Sequence, residues 1–153
     1  MKVNAKLIYQ FLSAKGWTKN AICGVLGNME IESTINPAIG EVGGSGYGLV
    51  QWTPGSLYKN WAARNGYANT SLEGQLTFLI YTMQPDCPGK DKIWYKPFNS
   101  AYAAYGMTYS GFIHSRDSVG YLALVFMHCY ERPGIRGDSR RVAAAERWYS
   151  YLS

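Results

Sequence analysis

Apolar positions recur at helical spacing along most of the 153-residue chain, and glycine, proline and capping residues punctuate them. Val3, Leu7, Phe11 and Leu12 share one face and Gly16 follows where a helix-ending glycine belongs, which predicts a first helix over 3–15. Trp17 and Thr18 have the form of a staple and N-cap for a second helix. That helix carries Ile22, Val25, Leu26 and Met29 on one side. It must stop before Pro37, because Asn36 ahead of the proline is pushed out of the helical region. Gly24 and Gly27 inside it cost helix stability, so another backbone is expected to pack close against them. Further helices are predicted over 56–65, closed by Gly66; over 71–84, opened by a capping box from Thr70 to Glu73; over 117–130; and over 139–152. The last has Val142, Ala145, Trp148, Tyr149 and Leu152 on one side. Residues 40–48, GEVGGSGYG, hold five glycines and exclude regular helix, and the following Leu49 to Trp52 suit a short strand. Residues 85–107, broken by Pro85, Pro88 and Pro97, give no readable pattern.

Composition narrows the class. At 47% hydrophobic the chain is long enough to bury one sizeable core, so residues 1–153 are read as a single domain. The expected fold is mainly α, with six to eight helices and one small β hairpin. Thirteen Tyr and five Trp supply either core rings or a surface that stacks on flat partners such as sugars or bases. A net charge of +5 favours polyanions, whether nucleic acid, anionic membrane or the acidic polymers of a bacterial wall. The basic residues are scattered apart from Arg140 and Arg141, so no nucleic-acid tail is indicated. Cys23, Cys87 and Cys129 are odd in number and lack CxxC spacing, which argues against a disulfide framework and a zinc site. Residues 1–12 contain no sustained apolar run and no stretch of 18 apolar residues occurs, so neither a signal peptide nor a membrane span is expected.

Candidate chemistry gathers between residues 28 and 54. Glu32 follows Val25 by two helical turns and so sits at the edge of the apolar stripe. Partial desolvation there, and the unpaired carbonyls of the helix end, would both favour a protonated carboxyl, which is what a general acid requires. Glu30 competes, and helical angle alone prefers Glu32 only weakly. Glu41, in the glycine-rich loop, is the only other acid between residues 33 and 72. Glu131, beside Arg132, reads as a structural ion pair or a buried carboxylate. A thiol nucleophile is disfavoured, since Cys23 lies inside an apolar helix and Cys129 and His128 point about 100° apart.

Several runs carry a resemblance. Glu32-Ser33, Asn36-Pro37 and Gly46-Tyr47-Gly48-Leu49-Val50-Gln51 resemble the motif shared by goose-type lysozymes and lytic transglycosylases. The chain is similar over nearly its whole length to the phage tail lysozyme family, found in tail-knob proteins of short-tailed phages. The similarity takes in Gly16-Trp17-Thr18, Glu32-Ser33-Thr34-Ile35-Asn36-Pro37, Gly48-Leu49-Val50-Gln51-Trp52-Thr53-Pro54, Tyr130-Glu131-Arg132-Pro133 and Trp148-Tyr149. This resemblance implies a lysozyme-like α+β fold with the hairpin beside a cleft, Glu32 as general acid, and Gln51, Tyr47 and Trp52 lining the sugar site. It further implies that Tyr130 brings its hydroxyl near the acid, while Glu41, by its place in the glycine-rich loop, is the candidate base. The implied substrate is peptidoglycan, cut at the β-1,4 bond between N-acetylmuramic acid and N-acetylglucosamine, without metal or organic cofactor. A transglycosylase forming 1,6-anhydro products and a non-catalytic wall-binding tail module remain open alternatives. The implied location is a virion tail, beside other tail proteins, or a released lysin; a nucleic-acid or membrane partner is not implied.

Overall fold

A computed structural model describes residues 1–41 and 43–152. Seven α-helices follow in order: α1 (Lys2–Ala14), α2 (Lys19–Ser33), α3 (Ser56–Asn65), α4 (Leu72–Met83), α5 (Tyr109–Ile113), α6 (Val119–Phe126) and α7 (Asp138–Tyr151). A 3₁₀ segment (Ser100–Tyr105) precedes α5, and α6 runs on into a π turn (Met127–Glu131). None of these helices is long and apolar enough to cross a membrane.

α2 is the centre, packed chiefly against α7 and α6 and also against α1 and α5. Its glycines explain how three helices come so close. A Cβ on Gly24 would lie 3.0 Å from the backbone of Leu122 and Ala123, and one on Gly27 would lie 2.5 Å from the Arg141 carbonyl oxygen. The close approach expected from sequence therefore exists twice, once towards α6 and once towards α7. Thr18 caps α2 by accepting from the Ala21 amide at 3.1 Å. For α4 the cap is Ser71, accepting from Gly74 N at 2.9 Å, rather than the Thr70 of the expected capping box.

The expected β hairpin is not formed. Among the described residues the β pairing consists of two isolated antiparallel bridges, Gly40 with Tyr47 and Tyr47 with Trp52. The reason is local. Gly48 (φ +88°) and Gln51 (φ +54°) turn left-handed, so Leu49 and Val50 fill the tip of a tight turn closed by the Tyr47–Trp52 pair, and both are buried in the core. Two side chains pin this turn. Ser33 Oγ donates to Leu49 O at 2.8 Å, and the fully buried Gln75 accepts from Leu49 N at 2.8 Å while donating to Pro37 O at 2.7 Å. The end of α2 and the loop after it are thereby held as one unit.

Behind the turn lies an aromatic body. Trp52 stacks on Tyr58 at 5.2 Å, and Trp61, Phe78, Tyr67 and Tyr81 continue the cluster. Trp52 Nε1 donates to the Tyr130 hydroxyl at 2.8 Å, which links this body to the helical one built on α2, α6 and α7.

Candidate active site

Glu32 projects from the last turn of α2 with 17% of its side chain exposed. α7 supplies its partner. Arg141, only 2% exposed, donates from Nη2 to Glu32 Oε1 at 2.6 Å, from Nη1 to Asn28 Oδ1 at 2.7 Å and from Nε to the Arg136 carbonyl at 2.7 Å. Asn28 in turn donates to Gly24 O and Ala123 O, both at 2.9 Å. Three helices thus orient one guanidinium, and through it one carboxylate. Sequence alone anticipated a half-buried carboxyl at the edge of the apolar stripe; the structure adds a charge-assisted hydrogen bond from a buried guanidinium.

The same helix pair separates Glu32 from its competitor. Glu30 is paired with Arg147 at 2.5 Å, but Arg147 is 63% exposed, so that contact is a solvated surface ion pair. Arg141 was not foreseen as a site residue. A signal existed, since Arg141, Ala144, Ala145 and Trp148 are the buried face of α7 and show the i, i+3, i+4, i+7 spacing of an apolar stripe. The stripe expected from Val142 and Tyr149 is turned from this one, and Tyr149 is 40% exposed.

The π turn carries another carboxyl, at the edge of a pocket. Glu131 ends it, and left-handed Arg132 (φ +43°) redirects the chain. Arg132 does not pair with Glu131; its Nη1 donates to the carbonyls of Ile93 at 2.9 Å and Cys129 at 2.6 Å. Glu131 Oε1 is buried without a hydrogen-bond partner. Burial pushes the Glu131 carboxyl well above its ordinary range and the charge of Glu32 adds to this, while Arg141 and Arg132 oppose it.

Glu131 lines a pocket of about 220 Å³ with Gln51, Trp52, Thr53, Tyr130 and Arg132. Glu32 and Glu41 are not among its lining residues. Gln51 is half-buried and spends its amide on the turn, donating to Ile39 O at 3.0 Å and Gly48 O at 2.9 Å. Trp52 is 4% exposed, with its ring against Tyr58 and Phe78. The Tyr130 hydroxyl sits between Trp52 Nε1 and Thr82 Oγ1, at 2.8 and 2.7 Å. Tyr47 is half-buried beneath the Lys59 ammonium, 4.2 Å from its ring centroid. Glu41 is exposed and folds back onto its own loop, accepting from Gly46 N at 3.0 Å. All three cysteines are buried and free; burial pushes the Cys23 thiol up to about 12 and Cys129 up as well, the opposite of an activated thiolate.

The described residues thus hold a guanidinium-clamped glutamate at the end of α2 and another carboxyl, Glu131, at an aromatic-walled pocket. Morphogenesis protein 1 of Bacillus phage B103 is 40% identical over 158 residues, an alignment that takes in the whole of this chain and 40% of that protein. The chain thus spans about two fifths of that relative's length. Residues 3–152 match the phage tail lysozyme family, and the chain belongs to it.

Proposed function

We propose that the chain is a peptidoglycan-degrading glycoside hydrolase that cuts the β-1,4 bond between N-acetylmuramic acid and N-acetylglucosamine, with Glu32 as general acid. The observation that carries this reading is the clamp on Glu32: its carboxyl alone, of the two glutamates near the end of α2, is held by a buried cation. Fixed geometry of that kind is what proton delivery to a glycosidic oxygen needs. Membership of the phage tail lysozyme family supports it.

The shape supports a polymer substrate. Arg132 borders both the pocket at Glu131 and a second one of about 270 Å³ that includes Phe98, Tyr102 and Arg136. Adjacent pockets with aromatic and cationic walls suit an extended, anionic, sugar-containing chain. In this reading Gln51 and Tyr47 shape and border the sugar site, Trp52 and Tyr130 support its wall from the core side, and exposed Glu41 activates water. The protonated leaving oxygen departs with the electrons of the broken C1–O bond, and water adds to C1 as it loses a proton to the base. We assign the reaction to a virion-borne tail lysin that opens the wall during infection.

Glu32→Gln keeps size and removes the transferable proton. It should abolish wall clearing while chitooligosaccharide binding persists; retained clearing sinks the assignment. Mass spectrometry of the digest separates the chemistries, since reducing ends mean hydrolysis and 1,6-anhydro ends mean transglycosylation.

A further inference from the structure

The pocket of about 270 Å³ beyond Arg132 is furnished in a way that cutting a glycosidic bond does not require. Four flat groups are stacked beside it. The Arg136 guanidinium lies over the Tyr102 ring, 3.9 Å from its centroid, Tyr102 stacks on His128 at 4.4 Å, and His128 stacks on Tyr105 at 4.7 Å. A guanidinium held by its face keeps the N–H donors along its edge free. Among the described residues neither Arg136 nor Arg132 is ion-paired, and Arg132 commits Nη1 alone, to two backbone carbonyls.

His128 is the independent sign of a ligand. It is only 8% exposed, its ring makes no hydrogen bond among the described residues, and it lines this pocket. Burial pulls its ionisation below the ordinary range, against the opposing charge of Asp138, so at neutral pH the ring is uncharged and offers one N–H donor. A polar ring so buried and without a protein partner calls for an acceptor in the pocket.

Two free guanidinium groups and one imidazole select an anion with planar oxygens. The N-acetylated sugar backbone of peptidoglycan is uncharged; its carboxylates sit on the peptide joined to the lactyl group of muramic acid. Arg132 borders the sugar pocket as well, so a branch leaving a sugar there reaches this one. Apolar side chains stand alongside the donors: Phe98, 84% exposed, borders the pocket, and Ile135, 87% exposed, lies between its lining residues Pro133 and Arg136. Such a mixture suits a short peptide better than a hydrated phosphate. We propose that, given the wall glycan as substrate, this pocket binds the carboxylate-bearing peptide attached to N-acetylmuramic acid. Arg136 and Arg132 take a carboxylate, His128 donates to a peptide oxygen, and Phe98 and Ile135 cover the aliphatic parts.

The test is calorimetric binding of N-acetylmuramoyl-L-alanyl-D-glutamate against its uncharged diamide. Wild type should bind the free acid on the order of tenfold tighter, the worth of a charge-assisted hydrogen bond. Arg136→Met should bring the two probes to within about threefold of each other, since Arg132 alone then meets the carboxylate. The chain has two histidines, so ring resonances locate the ligand: the acid should shift His128 and leave exposed His114 unmoved. Equal binding of acid and diamide, a preference that survives in Arg136→Met, or an unmoved His128 overturns the proposal. So does tighter binding of a glycerol phosphate oligomer than of the acid, which would make this a phosphate site. Neither muramoyl probe contains the bond to be cut, so binding is read apart from turnover. Selective binding without wall clearing sinks the hydrolase reading alone, and clearing without selective binding sinks the peptide site alone.

Discussion

At the scale of single residues, the two arginines of α7 that reach α2 make opposite predictions. Arg141 is buried, and truncating it strands Glu32 and Asn28, so Arg141→Met should cost about 3 kcal/mol or more of unfolding free energy in urea. Arg147 is 63% exposed, and Arg147→Met should cost under about 1 kcal/mol. Equal losses would mean that the clamp on Glu32 is not structural. Glu131 makes a prediction through pH. Its carboxyl holds a proton in the folded state well above the ordinary 4.5, so the folded chain binds more protons than the unfolded one as pH rises past that value. Its contribution to stability is then fully present below about 4.5 and is lost upward through the raised folded value. Urea unfolding at pH 4.5 and pH 8 should show wild type losing more stability over that interval than Glu131→Gln; parallel losses count against a raised Glu131. Neither arginine partner was legible in sequence, because Glu32 and Arg141 are 109 positions apart and meet only through the register of α2 on α7.

At the scale of elements, that register depends on glycine. Alanine is intrinsically the better helix former by about 1 kcal/mol. In Gly27→Ala, however, the new Cβ would come within 2.5 Å of Arg141 O and 2.8 Å of Ala145 N, which are backbone atoms and cannot rotate away. We expect a net loss of about 2 kcal/mol, seen as a lower Tm in thermal unfolding, with activity falling too because Arg141 is displaced. A neutral or stabilising effect would show that α7 slides freely over α2. Here the sequence was readable, since two glycines in a helix otherwise built for burial signal a close neighbour. So were α3, with its predicted bounds met at Ser56 and Asn65, and α2, ended before Pro37. The hairpin was misread because Leu49 and Val50 look like strand residues, whereas the left-handed Gly48 and Gln51 around them set the path. The π turn was hidden inside the predicted helix over 117–130, as one extra residue per turn leaves no mark on an apolar run this continuous. The 3₁₀ segment and α5 are too short for periodicity, although Thr108, capping Gly111 N at 3.0 Å, is a local cue.

At the scale of the molecule, the candidate site lies where two bodies meet: the helices around α2, and the aromatic cluster of Trp52, Tyr58, Trp61 and Phe78. Arg141 and Asn28 tie the first body together, Gln75 anchors the loop between them, and Tyr130 joins the two across the pocket. The Tyr130 hydroxyl is engaged on both sides, by Trp52 Nε1 and Thr82 Oγ1, and is fully desolvated, which pushes its ionisation well up. A hydroxyl so occupied serves the joint more than the substrate. Tyr130→Phe would leave Trp52 Nε1 buried without its acceptor, while Thr82 keeps the Phe78 carbonyl at 2.9 Å, so the loss is about one unsatisfied donor, or 1–3 kcal/mol. If the joint holds the cleft together, this variant should unfold at lower urea and KM for peptidoglycan should change by less than about threefold, since the retained ring still fills the wall. A large rise in KM with stability unchanged would instead place that hydroxyl on the sugar, and would make the joint between the two bodies a matter of packing alone.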